Sequence, residues 1–76
     1  MTKSQQIAEI RQLIARLERL SADSAWAHRA AGLRGNLLKM LAALEAGESV
    51  PDGLGDLVEQ SYGILVRAAR EIPAHD

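Results

Sequence analysis

Apolar residues recur along this chain at steps of three and four, the spacing of an α-helix. In the first stretch Ile7, Ile10, Leu13, Ile14, Leu17 and Leu20 form one stripe, and Glu9, Arg11, Gln12, Arg16, Glu18 and Arg19 fill the positions between. That pattern predicts an amphipathic helix over about 4–20 with a narrow buried face. Ser21, Ala22, Asp23 and Ser24 follow. A Ser or Asp oxygen accepts from the free N–H groups of a starting helix, so a break and a new start are expected there.

The second helix is expected over about 24–46. Trp26, Ala30, Leu33, Leu37, Met40, Leu41 and Leu44 form its main stripe, with Ala27, Ala31, Gly35, Leu38 and Ala42 as a smaller-residue stripe beside it. Gly47 then supplies the left-handed conformation that closes helices. Ser49, Val50, Pro51 and Asp52 read as an entry, with Ser49 and Asp52 at capping-pair spacing and Pro acceptable in a first turn. The third helix, about 52–72, carries Leu54, Leu57, Val58, Ser61, Tyr62, Ile64, Leu65, Val66, Ala68, Ala69 and Ile72 before Pro73 stops it. The expected fold is a single all-α domain over 1–76, an up-down-up three-helix bundle. Helices two and three have more apolar surface than two neighbours need, so self-association or docking on a larger protein is expected. The residues expected to take part are Trp26, Arg34, Leu38, Tyr62 and Val66.

Composition narrows the function classes. A 76-residue chain buries only about 60% of its unfolded surface. With no Phe, one Tyr and one Trp, its core must be built from small and medium side chains. Nine Lys and Arg against ten Asp and Glu give a net charge of −1, which exerts no global pull on nucleic acid or on an acidic membrane. Without cysteine there is no thiolate chemistry, disulfide or Cys-based zinc site. No apolar run approaches the roughly 18 residues of a membrane span, and the first segment is charged and amphipathic. A cytoplasmic protein with no membrane partner is expected.

Three mid-helix glycines, Gly32, Gly35 and Gly63, each cost a helix about 0.5–1 kcal/mol relative to alanine and call for a reason. In one reading Gly35 joins Ala27, Ala31 and Ala42 in a low ridge that admits a neighbouring helix. In a second, Gly32-Leu33-Arg34 is the turn of a helix-turn-helix. The reading helix would then run over about 35–45 and present Arg34, Asn36, Lys39 and Met40 to DNA. A third makes His28, Arg29 and Lys39 an anion site on one side of an unbroken helix. The uninterrupted stripe from Trp26 to Leu44 favours the unbroken helix.

The remaining chemistry is sparse. His28 and His75 have no partner at metal-ligand spacing. Asp56 and Glu59 suit the N-terminal turns of the third helix, and Arg67 and Arg70 its C-terminal end. Ser61 and Tyr62 have no base nearby in sequence. Arg34 falls inside the apolar arc, where an unpaired guanidinium is expensive to bury, so it is expected to snorkel out, to pair with a carboxylate from another helix or subunit, or to face DNA after a bend. The chain therefore reads as a non-enzymatic protein–protein interaction module without cofactor or small-molecule substrate. A small helix-turn-helix DNA-binding regulator is the second reading.

Overall fold

The computed structural model describes residues 2–20 and 23–70. Among them the chain forms three helices and no strand: α1, Lys3–Glu18; α2, Ala27–Glu45; α3, Leu54–Arg70. The expected break at Ser21 and Ala22 and the stop at Ile72 and Pro73 lie outside the described residues, as does His75.

Each helix begins or ends where local chemistry requires. Thr2 and Gln5 form a capping box: the Thr2 hydroxyl oxygen accepts from the Gln5 N–H at 3.1 Å, and the Thr2 N–H donates to Gln5 Oε1 at 2.8 Å. Two free donors of the first turn are thereby satisfied. At its other end α1 tightens, with Arg19 N–H bonded to Arg16 O and Leu20 N–H to Leu17 O, so the helix stops short of residue 20. The start of α2 falls later than the stripe suggests. Ser24 accepts from the Trp26 N–H through its hydroxyl and from the Ala27 N–H through its carbonyl, which holds 24–26 as a turn ahead of the helix.

Gly47, at φ 88°, ends α2 as expected. Its N–H donates to Leu44 O and that of Glu48 to Ala43 O, the paired bonds of a Schellman motif. The entry to α3 is corrected from Ser49 and Asp52 to Pro51 and Gly53. The Leu54 N–H bonds to Pro51 O, and Gly53 at φ 86° turns the chain so that its carbonyl accepts the first helical bond, from Leu57.

The core is the meeting of three stripes: Ile10, Leu13, Ile14 and Leu17 of α1, Ala30, Leu33, Leu37 and Leu44 of α2, and Leu54, Leu57, Ile64 and Ala68 of α3. Ile7, Leu20, Trp26, Met40, Leu41, Val58 and Leu65 pack against it while partly buried. Ser61 is fully buried among them, and its hydroxyl donates to the carbonyl of Leu57 at 2.8 Å. A buried hydroxyl satisfied within its own helix costs little.

Polar contacts fix the order of the helices. Arg11 pairs with Glu45, Glu18 with Arg34, and Lys3 Nζ donates to Glu48 O at 2.8 Å, so α2 runs antiparallel to α1. Tyr62 of α3 reaches Glu9 of α1 on the other side. No described helix is long and apolar enough to cross a membrane.

Candidate protein-docking surface

Helix α2 is continuous through Gly32, Leu33 and Arg34, so the turn on which the DNA-reading arrangement depends is not formed. Its four proposed contact residues are dispersed accordingly. Arg34 turns to α1 and donates to Glu18 Oε2 at 3.3 Å, the pairing with a carboxylate of another helix among the three outcomes open to it. Met40 packs against the core, while Asn36 and Lys39 are left in solvent.

The glycine ridge is also corrected. A β-carbon built on Gly32 or on Gly35 meets nothing within 4 Å, so neither glycine is there to admit another helix of this chain. Leu38, in the same stripe, is 43% exposed, with Ala31 and Ala42 exposed beside it. Arg34, Leu38 and Glu45 share one side of α2 by their four- and seven-residue spacing. Leu38 therefore stands between the Arg34–Glu18 and Arg11–Glu45 pairs, which draw the long charged side chains toward α1 and leave the leucine uncovered.

On α3, Tyr62 and Val66 are one turn apart and 40% and 50% exposed. The Tyr62 hydroxyl donates to Glu9 Oε2 at 3.0 Å. That bond raises the phenol's pKa above its usual value, with burial and the negative charge of Glu9 adding and Arg16 opposing. Tyr62 is thus tethered by its polar tip while its ring face remains open. Val66 is the most exposed of the large apolar residues among those described.

Trp26, at the head of the stripe, is not fully enclosed. It caps α2 from outside the first turn and is partly buried, with the Arg67 guanidinium 5.6 Å from the ring centroid. The cation–π contact between the start of α2 and the end of α3 joins residues far apart in sequence, and no helical spacing announces it. The proposed trio His28, Arg29 and Lys39 does not assemble either. Arg29 lines a groove between α2 and α3 with Arg67, whereas His28 and Lys39 are exposed and do not line it.

Among the described residues no group of three or more His, Asp or Glu side chains is placed to hold a metal ion, and no buried side-chain N or O atom lacks a hydrogen-bond partner. Compared with protein-family models, with curated proteins and with solved structures, the chain matches none.

Proposed function

We propose that this chain is a non-enzymatic helical interaction module that docks protein surfaces through α2 and α3, in the first instance a second copy of itself. The observation that supports this reading is the exposure of Leu38, Tyr62 and Val66 after the bundle has closed. Large apolar groups left in water gain roughly 25 cal/mol for each Å² covered by a partner. The small residues flanking Leu38 let that partner come close.

Sedimentation equilibrium tests the proposal. The wild-type chain is expected to sediment above its 8.2 kDa monomer mass at micromolar concentration, and Leu38→Glu and Val66→Glu to return it to monomer. Both positions are exposed, so circular dichroism should show the same helix content in the variants. A wild type that stays monomeric across that range rules out self-association. Docking on a different protein would then require a captured partner that both Glu variants fail to retain, and a partner they retain equally well overturns the assignment of the surface.

A further inference from the structure

Between α2 and α3 lies an open groove of about 270 Å³, with Leu33, Ile64 and Gly63 along it and Arg29, Arg67, Glu59 and Gln60 at its edges. The ion pairs among the described residues engage Arg11 and Arg34, and neither groove arginine is in one. Arg67 nevertheless has a partner: its guanidinium lies over Trp26, 5.6 Å from the ring centroid. A guanidinium presents its N–H groups as a planar fork that suits a planar oxygen pair. Arg29 stands in the first turn of α2, which carries no acidic residue. A cation there opposes the helix dipole, so the stability of α2 does not account for it.

We propose that this groove receives one acidic side chain of a docked protein, its carboxylate taken between Arg29 and Arg67 and its methylene stem laid against Leu33 and Ile64. The proposal deepens the docking function above and rests on it for the identity of the ligand as a protein group. Charge complementarity selects a carboxylate over a phosphate: two guanidinium groups and the Glu59 carboxylate leave one net positive charge, which a monoanion balances and a dianion exceeds. Size points the same way. At about 270 Å³ the groove lies just below the roughly 300–1,000 Å³ clefts that enclose free small molecules, and a side chain delivered by a larger surface needs no such enclosure.

The test uses a capped hexaglutamate peptide and inorganic phosphate as probes, titrated at low salt into ¹⁵N-labelled protein. The Arg29 and Arg67 Nε resonances and the Trp26 indole resonance are followed. Hexaglutamate is expected to shift all three, and Arg29→Gln or Arg67→Gln to weaken its binding by about tenfold, as loss of a charge-assisted bond does. Lys39→Gln removes the same charge from an exposed position outside the groove and should change binding by less than twofold. Arg67→Lys, which keeps the charge but not the planar fork, is expected to bind as weakly as Arg67→Gln. The proposal is overturned if Lys39→Gln weakens binding as much as the groove variants. It is overturned equally if phosphate moves the three resonances at lower concentration than hexaglutamate, or if hexaglutamate leaves them unmoved. Leu38→Glu and Val66→Glu should leave hexaglutamate binding intact, so failure of the groove and failure of the apolar docking surface are read separately.

Discussion

Gly32 and Gly35 offer a direct measure of what α2 is built for. Both lie inside the helix, neither has a positive φ, and a β-carbon on either meets nothing within 4 Å. Alanine at each therefore brings no clash. It gains the difference in helix propensity, about 0.5–1 kcal/mol per site, in large part by restricting the unfolded chain. For a domain of this size 1 kcal/mol moves Tm by about 4–8 °C, so each substitution should raise the midpoint by several degrees, with the urea midpoint rising and the m-value unchanged. The assay is chemical and thermal denaturation followed at the helical dichroism band, at protein concentrations below and above the association range. Loss of stability in Gly32→Ala would refute the continuous helix, because only a turn needing positive φ makes alanine costly at that site. Gly35 carries a second reading. If a partner seats beside Leu38, Gly35→Ala should stabilise the monomer and weaken association, and an unchanged association constant would remove Gly35 from the interface.

Three further outcomes follow from the same geometry. Leu37→Ala, at a residue with no solvent exposure, should cost about 2–5 kcal/mol, a large share of the stability of a 76-residue domain, and urea melts would show it. Gly47→Ala and Gly53→Ala should each destabilise by about 1–2 kcal/mol, since both residues hold a positive φ that L side chains adopt only under strain; an unchanged melting temperature would contradict the two turns. Because the folded-state pKa of Tyr62 lies above its ordinary value of 10.0, its contribution is complete below pH 10 and is lost as pH rises through the folded pKa. Thermal melts in alkaline buffer should show that decline and Tyr62→Phe should flatten it, the effect being small at so exposed a residue.

The residues that form the core could be read from the chain because helical period and burial are the same information. Every buried apolar residue of α1 belongs to its one narrow stripe, and Ala30, Leu33, Leu37 and Leu44 follow the stripe drawn through α2. The ends of the helices were less legible. Thr2 and Gln5 have the spacing of a capping box, and that signal places the start of α1 before the first apolar residue. The late start of α2 depends on which of two serines in one short linker turns its hydroxyl to Trp26, a choice made by three-dimensional fit. Arg34 could be seen to need a partner or a way out to solvent, but Glu18 is 16 residues away, and only the register of two antiparallel helices brings it there.

Excess apolar surface on α2 and α3 was the feature most open to misjudgement. In the closed structure Trp26, Met40, Leu41, Val58 and Leu65 all pack against the core while partly buried, so much of the apolar surface of α2 and α3 is used within the bundle. Among the described residues the large apolar side chains left exposed are a smaller set, Leu38, Tyr62 and Val66, with Val50 in the loop before α3. The groove residues were illegible for the complementary reason. Arg29 is an ordinary polar-face residue on α2, and Arg67 an ordinary C-terminal cation on α3, where it complements the helix dipole. Antiparallel packing of α2 and α3 turns those separate roles into one, since it brings the last turns of α3 against the first turn of α2 and sets Arg67 on Trp26. The charge balance of each helix taken alone conceals the site.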